Sequence, residues 1–169
     1  MIRKILIFLA IIFIVLATTY VSKLLFFKPF SFNHFLTRQL VYDALESPEY
    51  LTYIGILEKY GYRSYNGKLS DYSLKKDIKD LKKLKKEYKI LNSYEDKDLS
   101  AEELTSKKIS LFQMRNEIDQ KTKYPYHSYP LIQMNGLHTQ ILEFMTDIHP
   151  IKDEKDAKYY LSRLEMIPI

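Results

Sequence analysis

The sequence predicts an all-α protein: an N-terminal transmembrane helix followed by a helical domain. Three observations predict it. Residues 5–21 read ILIFLAIIFIVLATTYV, an apolar run with no charge, glycine or proline. Leu74, Ile78, Leu81, Leu84, Tyr88 and Leu91 recur at steps of four, three, three, four and three, the spacing of one helical face. Ser31, Ser47, Ser73, Ser100 and Asp153 each stand where a helix needs a side-chain oxygen for its first free N–H groups.

The apolar run follows Arg3 and Lys4. It spans roughly 25 Å at about 1.5 Å per residue, and continuing to Phe27 carries it past the hydrocarbon thickness of a bilayer. Lys23 lies inside this extension and can snorkel its ammonium to the surface. A cleaved signal peptide is the competing reading, but the run exceeds a usual signal core and Ala17-Thr18-Thr19 is a poor small-x-small cleavage site. The sequence is therefore read as an uncleaved anchor over residues 1–28, in the membrane through residues 5–27, and a helical domain over residues 29–169. Basic residues flank both ends of the span, so the positive-inside rule discriminates weakly. The default for a single N-terminal anchor leaves a short cytoplasmic N-terminus, making this a single-pass cell-membrane protein with its domain in the periplasm or outside the cell. Secretion after signal cleavage is the alternative location.

The formal charge of +5 invites a nucleic-acid reading, but residues 1–28 hold four basic residues and no acidic one, leaving 22 basic against 21 acidic residues beyond them. Basicity is local to residues 75–89, where eight lysines face Asp77, Asp80 and Glu87. Without arginines or interleaved exposed aromatics that stretch reads as a solvated helix face, and no nucleic-acid partner is expected. The absence of cysteine excludes an acylated lipoprotein cysteine, a disulfide framework and a thiolate metal site.

Ser31 opens a helix that places Phe32, Phe35, Leu36, Leu40 and Ala44 on one face and ends before Pro48, with His34 beside the stripe. Ser47-Pro48 opens a short helix to about Leu57, with Tyr50, Ile54 and Leu57 inward. Gly61, Asn66 and Gly67 make residues 59–72 a loop. Ser73 caps the helix of the leucine seam, Ser100 and Glu103 form a capping box, and the next helix carries Leu104, Ile109, Leu111, Phe112 and Ile118 to about Thr122. The short linker of residues 92–99 predicts an antiparallel hairpin of these two helices. Tyr124-Pro125-Tyr126-His127-Ser128-Tyr129-Pro130 is extended, its aromatics lining a groove or covering a core edge. A helix near residues 137–146, a break at His149-Pro150, and a last helix capped by Asp153, with Ala157, Tyr160, Leu161 and Leu164 on one face, complete the chain. The apolar tail Met166-Ile167-Pro168-Ile169 predicts an incomplete part of a larger helical fold, with unusual apolar exposure in residues 29–169.

Candidate site residues are few. Irregular backbone, tyrosines and amides single out Tyr126, His127, Tyr129, Gln133, Asn135 and His138 as contacts for an extended peptide; the plainer reading is that Asn135 and Gly136 shape a helix entry. The four histidines stand 93, 11 and 11 residues apart, so no two share a helical turn as a peptidase zinc site requires. Glu102 and Glu103 lie in a first helical turn, where the helix dipole accounts for them. There is no nucleophile elbow and no phosphate-binding glycine loop.

The run Pro130-Leu131-Ile132-Gln133-Met134-Asn135-Gly136, then His149-Pro150-Ile151, Asp156-Ala157, Tyr160-Leu161 and Arg163-Leu164, resembles the N-terminal region of the bacterial domain-of-unknown-function 885 family. Ser47-Pro48-Glu49 and the loop Tyr65-Asn66-Gly67-Lys68-Leu69-Ser70-Asp71 agree with it. The resemblance implies an exported or anchored, mostly helical protein related to zinc metallopeptidases, whose His-Glu metal cluster belongs to a later part of the family. No histidine here is followed by glutamate, so no metal residue carries over, and zinc is expected only in that catalytic part. The expected function is a membrane-anchored N-terminal portion, non-catalytic by itself, partnered by the membrane and by a peptide or a separate catalytic segment. The alternative is an anchored, non-enzymatic helical interaction module of the cell envelope.

Overall fold

The computed structural model describes residues 2–126, 132–134 and 136–167, with side chains from residue 7 onward. Among them are seven α-helices and no strand: α1 (Ile2–Phe26), α2 (Phe32–Glu46), α3 (Pro48–Ile54), α4 (Leu74–Asn92), α5 (Ala101–Lys123), α6 (Leu137–Glu143) and α7 (Glu154–Met166). α1 is exposed along its apolar length and is long enough, over Ile7–Phe26, to cross a membrane or serve as a signal sequence.

Capping fixes the helix starts. The Ser31 and Ser73 hydroxyls accept from His34 N and Lys76 N. Ser47 accepts from Tyr50 N ahead of Pro48, and Asp153 accepts from Asp156 N. Ser100 N donates to Glu103 Oε2 at 2.9 Å while Glu103 N donates to Ser100 Oγ at 3.2 Å, a reciprocal box that satisfies two otherwise free donors. α3 stops earlier than its apolar pattern implies, because Gly55 takes a left-handed turn at φ 64° and donates its N–H to Leu51 O. The expected helix after Gly136 likewise gives way to a π turn at Phe144–Ile148.

The chain packs as two compact units, one of residues 1–40 and 85–115, the other of residues 41–84 and 116–169. The core of the first is Phe32, Phe35, Leu91 and Tyr94, edged by Leu36, Ile90, Leu99, Leu111 and Met114. The Tyr94 ring meets both phenylalanines edge-on at 6.0 Å, and its hydroxyl, pushed up to about 12 by burial, donates to Pro29 O.

Several apolar faces differ from the expected ones. Leu40, Ile109 and Phe112 are exposed, whereas Arg38 and Lys107 are buried. Lys107 reaches inward because its ammonium donates to Tyr94 O at 2.5 Å and Asp96 Oδ1 at 2.6 Å. The α4 seam buries Leu91 fully but leaves Leu74 and Ile78 half exposed. In α3 the buried residue is Thr52, and Tyr50 faces outward. α7 buries Asp156 and Arg163 while Leu161 and Leu164 are exposed. There the inward face is chosen by polar partners.

Candidate functional site

The second unit is built around one guanidinium. Arg163 is fully buried and donates from Nε to Lys68 O at 2.8 Å, and from Nη2 to Thr52 Oγ1 at 2.8 Å, Tyr65 O at 3.2 Å and Pro48 O at 3.4 Å. Its Nη1 lies 2.6 Å from His149 Nδ1. Arginine only donates, so His149 accepts there, which makes the imidazole neutral with its proton on Nε2. The Phe144 ring lies 4.7 Å from Cζ, and burial pulls the guanidinium down to about 10.

From this centre a directed chain of bonds runs outward. Thr52 accepts from Arg163 and lies 2.8 Å from Asn66 Oδ1, and Asn66 Nδ2 donates to Glu58 Oε1 at 2.9 Å. The Glu58 carboxylate requires a donor, which fixes the Asn66 amide and thus the direction of the Thr52 hydroxyl. Lys152 Nζ closes on the other Glu58 oxygen at 2.9 Å. Beside it Asp156, fully buried, accepts from Arg63 Nη1 at 3.0 Å and Lys152 N at 3.2 Å. Gly67 is required where the loop crosses α7, since a Cβ there would stand 2.9 Å from the Tyr159 ring. Glu49 pins the loop's far end, accepting from Ser70 N at 2.8 Å and Ser70 Oγ at 2.5 Å.

His149 makes this network sensitive to acid. Burial first, then the Arg163 charge, holds its imidazole below the ordinary 6.5. Its Nε2 makes no hydrogen bond of ordinary geometry, although the Asp156 main chain favours the charged form. A lowered histidine means the unfolded chain takes the proton first, so stability is complete above 6.5 and declines as pH falls towards the folded value. At Glu58 burial alone would raise the carboxyl, but Asn66 and Lys152 hold it below the ordinary 4.5, so its contribution persists until lower pH. The urea midpoint of the full chain in neutral detergent is expected to fall as pH drops below 6.5, with a weaker fall in His149→Gln. Equal pH dependence in the two proteins would refute this assignment.

Phe144 and Glu49 connect the network to a cleft of about 310 Å³, lined by Glu49, Tyr50, Tyr53 and Tyr72 on one side and by Leu137, Gln140, Ile141, Glu143, Phe144 and Ile148 on the other. Tyr53 and Tyr72 are more than half exposed. Burial of the remainder, then the Glu49 charge, raises the Tyr72 hydroxyl, which stays a donor at neutral pH. Both Glu49 oxygens hold Ser70, whereas Glu143 is exposed with no bonded side-chain partner among the described residues. The π turn, a geometry recurrent at functional sites, begins at Phe144.

The sequence-derived candidates that fall among the described residues lie elsewhere. Tyr126 and Gln133 are exposed and do not line the cleft. His138 is exposed beside Gly136, where a Cβ would come within 2.6 Å of its ring. Gly136 is thus needed for the entry to α6. His127, Tyr129 and Asn135 fall outside the described residues. The cleft instead uses residues of α3 and α6 that carry no motif, and the only sequence signal for Arg163, Asp156 and His149 is their place in the quoted resemblance.

Among the described residues, the donors do not converge as a peptidase zinc requires. His34 is exposed on α2, His149 has a guanidinium against one ring nitrogen and the Tyr160 ring 5.2 Å away, and no three His, Asp or Glu side chains converge among the described residues.

The model of a family described as bacterial protein of unknown function (DUF885) matches residues 48–169. No curated protein and no solved structure matches the chain. The matched range starts at Pro48, whose carbonyl accepts from Arg163, and takes in every residue of the buried network and of the cleft. The chain belongs to the DUF885 family of bacterial proteins.

Proposed function

We propose that this is a membrane-anchored DUF885 protein of the cell envelope, facing the periplasm or the exterior, whose tyrosine cleft binds an extended peptide and which does no chemistry by itself. The observation that carries the reading is the cleft: three tyrosines and two glutamates around an apolar floor, on a wall held rigid by the Arg163 network. Aromatic faces and a few placed polar groups are what an extended ligand needs, and the family's resemblance to zinc metallopeptidases supports a peptide. α1 supports the anchor, being the length of a bilayer and uncharged over Ile7–Phe26 apart from Lys23. In the same reading α4 and α5 form an antiparallel hairpin, which the shared packing of Leu91, Tyr94, Leu111 and Met114 supports.

Glu143 supplies the selectivity, because Glu49 is occupied by Ser70. A fluorescein-labelled Ala-Leu-Lys-Leu-Ala peptide is expected to bind the full chain in neutral detergent more tightly than the same peptide with glutamate for lysine. Glu143→Gln should weaken the lysine peptide by about tenfold, the loss of one charge-assisted contact. Absence of binding by both peptides, or no effect of Glu143→Gln, would dismiss the cleft as a peptide site.

A further inference from the structure

We infer that the end of the apolar span is a binding site for anionic phospholipid headgroups, formed by Lys23, Lys28, Lys85, Lys86 and Lys89 around a collar of Tyr20, Phe26, Phe27 and Phe30. The inference rests on the anchored reading of α1.

The span does not leave the bilayer through a loose linker. Arg38 Nη1 donates to Phe27 O at 2.5 Å and Leu24 O at 3.2 Å, and Lys86 Nζ donates to Phe26 O at 3.3 Å. Lys28 Nζ donates to Ser93 O at 2.9 Å, and Tyr94 Oη to Pro29 O at 2.9 Å. These contacts fasten the second half of α4 to the last turn of α1, at the height where phosphates begin.

Phe30 gives that height independently. It folds back past the helix end and stacks on Tyr20 at 5.2 Å with 11° between the rings, while Lys23 Nζ lies 4.3 Å over its face. Tyr20 precedes Phe26 by six residues, about 9 Å along the helix axis. The Phe30 ring therefore sits below the end of α1, alongside residues that belong to the span. Phe26, Phe27 and Phe30 are all more than half exposed, which is unfavourable in water and normal for rings at a membrane interface.

The charges match. Lys85 and Lys89 are one helical turn apart and exposed, with no acidic partner among the described residues. The acid between them, Glu87, is buried against Arg38 and offers them nothing. Lysines without arginine suit a diffuse layer of headgroups better than one bidentate phosphate.

The chain has no tryptophan, so Phe30→Trp supplies a single reporter in the full chain. In nanodiscs its emission is expected to be blue-shifted and quenched by phospholipids brominated near the headgroup end of the acyl chain. Native mass spectrometry in neutral detergent, with phosphatidylglycerol and phosphatidylcholine offered in equal amounts, should show the wild type retaining phosphatidylglycerol preferentially. Lys85→Gln/Lys89→Gln, which removes no side-chain bond among the described residues, should reduce that preference by roughly tenfold or more, at about fivefold per interfacial lysine. Water-like, unquenched emission from the Phe30→Trp chain, equal retention of the two lipids, or an unchanged preference in the double variant would overturn the site. Extraction of the wild-type chain from membranes by alkaline carbonate would instead overturn the anchor on which it rests; a carbonate-resistant chain without lipid preference sinks the headgroup site alone.

Discussion

Arg163→Lys is expected to destabilise the second unit by about 4 kcal/mol, more than Arg163→Met at about 3 kcal/mol. The order is the informative part. Methionine removes the forked donors and leaves Lys68 O, Tyr65 O and His149 Nδ1 buried without their partner, but it also removes a charge that burial disfavours, as the lowered guanidinium shows. Lysine keeps the buried charge and replaces a planar fork by one short ammonium that cannot reach acceptors on α3, the 65–68 loop and His149 together. Urea unfolding of each full chain in neutral detergent, followed by circular dichroism, gives the comparison. A lysine variant as stable as wild type would show that charge alone is needed at this position and that the fork does not hold the unit together.

Short-range features were legible in the sequence because their partners lie within a few residues. Ser47, Ser73, Asp153 and the Ser100-Glu103 box cap helices where they were expected. Faces decided by distant partners were not legible. On α7 the apolar pattern points Leu161 and Leu164 inward, but Arg163 finds acceptors near residues 48–68, some hundred positions away, and turns the helix so that Asp156 and Arg163 face in. A lone arginine in a helix reads as solvated unless its acceptors are known. On α2 the stripe predicts Leu40, whereas Arg38 is buried because Glu87 and the end of α1 lie within its reach. The cleft was hidden for the same reason. Tyr50, Tyr53, Tyr72 and Glu143 carry no spacing signal, and only the fold of residues 48–72 against α6 assembles them. The apolar spacing carries α3 on to Leu57, but Gly55 ends it at Ile54, because glycine takes the left-handed turn there without strain.

Arg38→Met is expected to cost the first unit about 3–5 kcal/mol, and adding Glu87→Leu to recover most of it without restoring the junction between α1 and α2. The pair is buried on both sides, with Nη2 and Oε2 2.6 Å apart, and Gln39 Nε2 adds a bond to the same oxygen at 2.8 Å. Removing the arginine alone strands a carboxylate with one neutral donor, which is the costly outcome for a buried ion pair; removing both partners leaves an apolar contact beside Phe35. The other guanidinium nitrogen has a separate role, since Nη1 satisfies the free carbonyls of Leu24 and Phe27 at the end of α1. No leucine at position 87 replaces those bonds. The double variant should therefore unfold near the wild-type urea midpoint while residues 27–31 become open to limited proteolysis. If the junction stays as protected as in wild type, Arg38 is a charge partner only; if Arg38→Met alone is neutral, the buried pair does not stabilise the unit.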